Sequence, residues 1–386
     1  MNKPLAGLRV VDLGIITAGA STSAILADLG AEVIKVEGPN YIDPFRRWAE
    51  SGAGDDWWNH SPYFRFTNRN KKSVCLDLKS SEGRDLFLDL VAVSDVVVEN
   101  FRVGVLDRLG VGFGALRARN SRIVLGSITS QGISGPDADA VSFGSTLEAS
   151  AGFADLVRYA DGPPRISGQA LNYPDQVVSL FAAGLIMSTI LEARRTGKAM
   201  HVDMSQREVT AFLLGEHLVS AVRGAADRTA PPVQQELDHE GIYASRDGKW
   251  IAVSLPAGPH LTAIQTAAGE RGDVRKHVAD IVGSLDGVDA VTELAALGAR
   301  ARVVVRAEEM VREAKTSFAF ATTPNGEAAK GLPWRYGERP LEIEVPARDL
   351  GADNHGVVVG LLGRSESAFL RLVREGVLST APSQPT

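Results

Sequence analysis

Short apolar runs alternate with longer amphipathic segments along the first third of the chain. β-Branched runs cover residues 8–13 and 31–37, and a helical segment that ends at Gly30 lies between them. The alternation continues through SVCLDL, DVVVEN and RIVLGSIT, which are separated by further helical segments. Strands that alternate with helices in this way form a parallel sheet. The pattern predicts an α/β fold with a large, open, Rossmann-like sheet.

Open sheets of this type bind their ligands beyond the carboxyl ends of the strands. Three segments are predicted at that edge, namely Ile15–Gly19, Glu99–Arg108 and Ser127–Gly135. The first of them lacks the three-glycine dinucleotide fingerprint, and no Walker-type lysine loop occurs in the sequence. The fold therefore predicts a ligand site at this edge without pointing to NAD or ATP.

The later part of the chain has a different pattern, which predicts a second domain. A capping box, Ser205 to Glu208, opens a helix expected to run to about Val222, so residues 1–222 are predicted to form the N-terminal part of the large domain. The strand-like GIYAS and WIAVSL and the helices after them predict a linker and a smaller α/β domain over residues 223–328. Residues 329–386 are expected to form a return linker and C-terminal helices that pack on the large domain.

An acid, Asp175, lies in the first turn of the longest apolar helix that the sequence predicts. Apolar residues cover more than one face of this helix, which predicts that it is buried. The preceding Pro174 suits a helix start, since its missing N–H would be unpaired there anyway. Unpaired N–H groups and the positive dipole end should favour the ionised carboxylate. Such an acid can stabilise the helix start or act as a nucleophile, and the residues alone leave both roles open.

Composition excludes several classes of function. The chain has 386 residues and a net charge of −6, which argues against general nucleic-acid or membrane binding. No uninterrupted apolar run reaches membrane-spanning length, and a cytoplasmic protein is expected. The single cysteine, Cys75, excludes an internal disulfide. The seven histidines have no metal-ligand spacing, so no metal site is predicted, and no G-x-S-x-G elbow occurs.

Basic residues cluster at two predicted strand boundaries. The run Asn68–Lys72 contains three cations directly before a strand, and Arg102 and Arg108 flank the turn after Asn100–Phe101. Neighbouring cations of this kind can clamp a phosphorylated ligand, with arginine making bidentate contacts. A solvated charged surface is the alternative interpretation, and charge alone does not decide between them.

Seven motifs follow one another in an order that resembles a known family. They are PLAGLRVVDLG, LADLGAEVIKVEGP, FTNRNKKSVCLDLKSSEGRDLF, DVVVENFRVGVLDRLGVGF, SITSQGISGP, DGPP and the aspartate helix that ends RRTGK before HVDMS. With them the chain resembles the class III CoA-transferases, the carnitine-dehydratase and bile-acid-inducible group. The resemblance implies transfer of CoA from an acyl-CoA, with succinyl-CoA as one candidate donor, to a free carboxylic acid. It also implies a ring-shaped chain interlocked in a dimer, with CoA as substrate and no permanently bound cofactor.

The resemblance also implies roles for individual residues. The nucleophile of the family is an aspartate at the start of the helix that ends in R-x-T-G, and that position is Asp175 here. It would form an anhydride and then an aspartyl-CoA thioester. The positions implied for the CoA groove are Ile16, Thr17, Asn68, Arg69, Asn70, Lys71, Asn100, Phe101 and Arg108. Lys71 and Arg108 are expected to bind the CoA phosphates, Phe101 to pack near the adenine, and Thr17 to lie near the reacting carbonyl.

Two alternatives follow from departures from the family pattern. Residues 260–330 are shorter and less family-like than expected, which suits a subunit that supports a catalytic partner in a heteromer as well as a homodimer. A racemase of 2-methylacyl-CoA would need a histidine before DGPP, and VSFGSTLEASAGF has none. Gly38 stands where some members of the family carry a basic residue, so the CoA contact that this residue makes in those members is not assigned here.

Overall fold

The computed structural model describes residues 3–48, 54–157, 162–167, 173–223, 237–256, 273–313, 320–324, 326, 328–331 and 342–383. The chain divides into two compact units, Met1–Ala225 with Phe318–Thr386, and Ala226–Ser317. Much of the two predicted linkers, at 224–236 and 332–341, lies outside the described residues.

Six parallel strands form the centre of the larger unit. They are β1 (Arg9–Asp12), β2 (Glu32–Glu37), β3 (Lys71–Cys75), β4 (Val96–Glu99), β5 (Val124–Thr129) and β6 (Met200–Ser205). Their order is β3-β2-β1-β4-β5-β6, and each pair of neighbours runs parallel. This is the strand order of the doubly wound Rossmann sheet, which confirms the predicted α/β fold. The order reverses between β1 and β4, so the loops after these two strands flank a crevice.

Helices connect the strands and cover both faces of the sheet. Before β6 they are α1 (Ala18–Asp28), α2 (Pro62–Thr67), α3 (Ser81–Ala92), α4 (Val105–Arg108), α5 (Phe113–Arg119), α6 (Gly144–Ser150), α7 (Phe153–Leu156) and α8 (Tyr173–Thr196). After β6 come α9 (Gln206–Phe212) and α10 (Gly215–Val222). Two short 3₁₀ helices, Pro44–Arg47 and Trp57–Asn59, lie between β2 and α2. Ser205 is the N-cap of α9, because its hydroxyl accepts a hydrogen bond from the Glu208 N–H at 3.2 Å, which is one of the two bonds of the predicted capping box. The helix it opens breaks after Phe212 instead of running on to Val222.

Each face of the sheet has its own apolar core. On one face α1 and α8 pack against the strands, with Leu26, Val98 and Ile186 among the buried residues. On the other face α3 and α5 contribute Phe87 and Leu116. Burial on both faces explains why the strands are continuous apolar runs rather than alternating ones.

The long helix α8 is buried on one side only, so the prediction of a fully buried helix is wrong. Leu180, Phe181, Leu185 and Leu191 are 41–69% exposed, while Ile186 and its neighbours on the opposite side lie in the core. By length and composition α8 is apolar enough to cross a membrane, with a mean hydropathy of 1.6, but core helices share these properties. Its contacts with the sheet make α8 a core helix of this kind.

The smaller unit is an antiparallel sheet covered by helices. Strands β7 (Leu237–Ala244), β8 (Trp250–Pro256) and β9 (Arg300–Val303) pair in that order, and α11 (Val274–Ser284), α12 (Gly287–Ala296) and α13 (Ala307–Glu313) belong to the same unit. Its core contains Ile251, Val278 and Leu294. The chain returns to the larger unit through β10 (Phe320–Thr322), β11 (Ala328–Lys330), a π-helix (Gly356–Leu361) and α14 (Glu366–Arg374).

Truncation of the core should destabilise the larger unit. Phe87 is fully buried under the sheet, so we expect Phe87→Ala to lower the free energy of unfolding by about 3–5 kcal/mol. Leu370→Ala is a matched control, because Leu370 is 56% exposed on the same unit, and it should cost about 0.5 kcal/mol or less. Thermal unfolding followed by circular dichroism measures both. Equal losses in the two variants would contradict the assigned core.

Candidate active site

The loop between β1 and α1 lies at the switch point of the sheet, and the side chain of the residue that follows β4 holds it through hydrogen bonds. Asn100, the residue after β4, accepts a hydrogen bond from the Ile15 N–H at 2.7 Å and donates one to the Ile15 carbonyl at 3.1 Å. Gly19 lies against the same side chain, and a Cβ there would come within 2.6 Å of Asn100 Oδ1. Only glycine allows this approach, so Asn100 connects the loops on both sides of the crevice.

Asp175 lies where two helices begin. The backbone N–H groups of Ala18, in the first turn of α1, and of Asp175 itself both lower the pKa of the Asp175 carboxylate. The Ser179 hydroxyl lies 3.1 Å from the Ala18 carbonyl and 2.6 Å from the Asp175 carbonyl, which joins the two first turns. The sequence predicted one helix start around this acid, and the structure provides a second.

Burial dominates the titration of this acid. It raises the pKa of Asp175 to about 6, against the two N–H groups, which lower it. The N–H groups at the helix start favour the ionised carboxylate, as expected, but desolvation outweighs them and the net pKa is raised. At pH 7 the carboxylate is still mostly charged, and it is more basic than an ordinary aspartate.

Two of the predicted site residues, Ile16 and Thr17, directly precede Ala18 and therefore lie beside Asp175. Thr17 is 2% exposed. Ile16 has a φ of 58°, a left-handed conformation that is costly for a β-branched residue. Its N–H donates to Asp43 Oδ1 at 3.1 Å.

An open cleft lies at the carboxyl ends of β1 to β4. Its lining residues include Leu13, Ile15, Val36, Gly38, Tyr41, Asp77, Leu78, Lys79, Phe101 and Leu109. Of the predicted groove residues, Phe101 is in this lining, and Arg108 is exposed at the end of α4 next to Leu109. Arg47 and Arg102 lie close enough to Tyr41 to lower the pKa of its hydroxyl, although burial raises it overall.

Tyr41 and Lys79 were missed by the sequence analysis. Lys79 directly follows the strand-like SVCLDL, so its place after β3 was a usable signal. Tyr41 lies in a proline- and glycine-rich excursion, and only the fold places it beside Phe101.

The run Asn68–Lys71 is buried rather than solvated. Arg69 pairs with Asp28, and Asn70 Nδ2 donates to the same carboxylate at 2.8 Å. Lys71 Nζ donates to Asp12 Oδ2 at 2.8 Å, to the Ala20 carbonyl at 2.8 Å and to Asn68 Oδ1 at 2.9 Å. These three bonds use every N–H of the ammonium group.

Burial lowers the pKa of Lys71 to about 8. Neither predicted role, phosphate clamp or charged surface, describes Lys71 in this arrangement. Its side chain instead stabilises the loop between β1 and α1 through its hydrogen bonds to Asp12 and to the Ala20 carbonyl.

Glu99 is a further residue that the sequence analysis did not single out. Its carboxylate accepts the Phe101 N–H at 2.7 Å and so fixes the turn that carries Asn100 and Phe101. Burial raises the pKa of Glu99 to about 7. Among the residues that the structure describes, no group of three or more His, Cys, Asp or Glu is placed to hold a metal ion.

Comparison with known proteins identifies the relatives of the chain. The succinate–glutarate CoA-transferase of Agrobacterium fabrum is 33% identical over 244 residues, which are 62% of this chain and 59% of that protein. The succinyl-CoA–L-malate CoA-transferase alpha subunit of Chloroflexus aurantiacus is 32% identical over 305 residues, 73% of this chain and 68% of that protein. For four of the curated relatives the match covers only 46% to 65% of their own length.

Structural and family comparisons agree with these relatives. The crystal structure of a CAIB/BAIF family protein from Brucella suis superposes with a TM-score of 0.82 and 25% identity, over 94% of this chain and 100% of that one. Residues 5–354 match the model of the family described as CoA-transferase family III. The chain therefore belongs to CoA-transferase family III.

Proposed function

We propose that the protein transfers CoA from an acyl-CoA to a free carboxylic acid, with Asp175 as the nucleophile. The main support is the position of the Asp175 carboxylate, which two helix starts hold beside the switch point of a Rossmann sheet. The names of the relatives, succinate–glutarate and succinyl-CoA–L-malate CoA-transferase, favour succinyl-CoA as donor and a small acid as acceptor.

The proposed reaction passes the acyl group and CoA through Asp175 in turn. The carboxylate attacks the thioester carbonyl and CoA thiolate leaves, which gives a mixed anhydride. The thiolate then attacks the aspartyl carbonyl, releasing the donor acid and leaving an aspartyl-CoA thioester. The acceptor carboxylate attacks this thioester to form a second anhydride, and the thiolate converts it to the new acyl-CoA and free Asp175. A carboxylate suits this cycle because it attacks without prior loss of a proton.

We propose that CoA occupies the cleft at the ends of β1 to β4. Tyr41 and Phe101 offer aromatic faces for the adenine, and Lys79, Arg102 and Arg108 offer cations for the phosphates. Ile15 lines the cleft and Thr17 lies beside Asp175, so the loop that contains both would guide the pantetheine arm. Lys79, rather than Lys71 as expected from the sequence, would contact the phosphates. Asn68–Lys71 would stabilise the loop between β1 and α1.

We propose further that a second subunit, identical or related, interlocks with this chain. The exposed apolar side of α8 and the exposed Phe212 and Val222 after it are surfaces that a subunit would cover. The relatives in Chloroflexus aurantiacus that are named alpha and beta subunits favour a heteromer as the alternative, in which this chain has a supporting role. The buried thiol of Cys75 and the CoA substrates suit a cytoplasmic location.

A covalent CoA adduct should form on Asp175. We expect succinyl-CoA or acetyl-CoA to add the mass of CoA, less one water, to the peptide that contains Asp175, as measured by mass spectrometry after proteolysis. Asp175→Ala should show no adduct and no transfer to a panel of small acids. Full transfer activity in that variant would refute the mechanism. An adduct only when a related subunit is added would favour the supporting role.

Removal of the Asp175 charge should stabilise the protein. The folded-state pKa of about 6 lies above the model value of 3.8, so the charged carboxylate destabilises the folded state above pH 6. We expect Asp175→Asn to raise the free energy of unfolding by about 1–2 kcal/mol at pH 7–8. The gain should shrink as pH falls from 6 towards 4. Thermal unfolding across this range measures it, and a gain that is largest at pH 4 would contradict the raised pKa.

Loss of a cleft cation should weaken CoA binding without affecting chemistry. We expect Lys79→Ala to raise KM for the acyl-CoA about tenfold, with kcat nearly unchanged, because it removes one charged contact to phosphate. The KM of this variant should also depend less on salt concentration. Lys72→Ala is the matched control, since Lys72 is exposed and pairs with Glu32. Equal effects of both substitutions would place the phosphates elsewhere.

A further inference from the structure

Four buried charged side chains surround the backbone of the loop between β1 and α1. Asp12 Oδ1 accepts the Gly14 N–H at 2.8 Å, and Lys35 Nζ donates to the Gly14 carbonyl at 2.5 Å. Asp43 Oδ1 accepts the Ile16 N–H at 3.1 Å. Together with the two bonds that Asn100 makes to Ile15, these contacts fix three consecutive residues of the loop.

The four charges also pair with one another. Lys71 Nζ lies 2.8 Å from Asp12 Oδ2, and Lys35 Nζ lies 3.2 Å from Asp43 Oδ2. Asp12 and Asp43 are 0% exposed, Lys35 1% and Lys71 3%. Asp43 is in turn held by Glu37, whose carboxylate accepts the Asp43 N–H at 2.9 Å.

Stability alone does not explain this network. Each buried ion costs several kcal/mol of desolvation, and apolar residues of similar volume often stabilise a core as well or better. The network also maintains a strained residue, since Ile16 at φ 58° costs about 1–3 kcal/mol that its surroundings must supply. Strain of this kind persists where a fixed geometry is needed for function.

The network reaches the reacting carboxylate through the first turn of α1. Lys71 donates to the Ala20 carbonyl, and Ala18 lies between that residue and the strained Ile16. The Ala18 N–H lowers the pKa of the Asp175 carboxylate, and the Ser179 hydroxyl ties the two first turns together, at 3.1 Å from the Ala18 carbonyl and 2.6 Å from the Asp175 carbonyl. A shift of the loop would therefore move a donor that comes to this carboxylate from another helix.

We infer that Lys35, Lys71, Asp12 and Asp43 are positioning residues that fix the loop beside Asp175 and so hold the Ala18 N–H on its carboxylate. This inference rests on the proposed function for its kinetic consequence. Its structural consequence, the retention of the Ala18 hydrogen bond, does not depend on activity.

The test compares two substitutions of Asp43 with one control. Asp43→Ala removes the oxygen that holds Ile16, whereas Asp43→Asn keeps an oxygen there and removes only the charge. We expect Asp43→Ala to slow single-turnover formation of the Asp175–CoA adduct about 100-fold per active site, since a 1 Å displacement has effects of this size. Asp43→Asn should lose less. Lys72→Met, an exposed lysine outside the network, should react like the parent protein.

A second readout separates positioning from a general loss of structure. The pKa of Asp175, followed by carbon-13 NMR of labelled protein, should rise above about 6 in Asp43→Ala, because a hydrogen bond to the charged form is lost. The affinity for CoA is compared in Lys35→Met, because Asp43 is itself part of the cleft lining whereas Lys35 is not among the lining residues, and it should change less than threefold. Lys35→Met should have the same two effects. An unchanged Asp175 pKa with adduct formation within threefold of the parent would overturn the inference.

The two hypotheses fail in different ways. If the parent protein forms no adduct, the proposed function fails, and the pKa of Asp175 in Asp43→Ala still decides the positioning role. If the parent forms the adduct and the Asp43 variants match it in rate and pKa, only the positioning role fails.

Discussion

The contact between the first turns of α1 and α8 is the constraint on which the site depends. The two helices begin close to each other, because the Ser179 hydroxyl lies within hydrogen-bond distance of a carbonyl in each first turn. Both helices pack on the same face of the sheet, so the apolar core beneath them fixes their distance. Among the described residues, the groups that lower the pKa of this carboxylate are N–H groups from two directions, and no cation is one of them.

The absence of a partner cation among the groups that shift its titration matters for chemistry. A nearby lysine or arginine would lower the pKa of Asp175 and make it a weaker nucleophile. The two lysines below the loop are instead paired with two aspartates, so the network carries no net charge. The charged groups thus make the loop near the carboxylate rigid. Because their charges cancel, they do not lower the pKa of the acid.

The sequence allowed most of the fold to be predicted and part of the site. The alternation of apolar runs with amphipathic segments was sufficient to predict the parallel sheet, because strands buried on both faces have a distinct composition. Asp175 could be selected only through the family motif, since an acid in a first helical turn is common. The roles of Asn68–Lys71 were misjudged because a basic run looks the same whether it contacts solvent or buried acids from distant strands. The exposed side of α8 was missed for a related reason, since its apolar residues cover both the core side and the uncovered side.

The single thiol of the chain lies in the strand next to this network. Cys75 is fully buried in β3, and burial raises the pKa of its thiol far above the usual range. In the proposed cycle a mixed anhydride forms, and a reactive thiolate within its reach would compete with CoA for the acyl group. A thiol that stays protonated and enclosed is not available for such a side reaction.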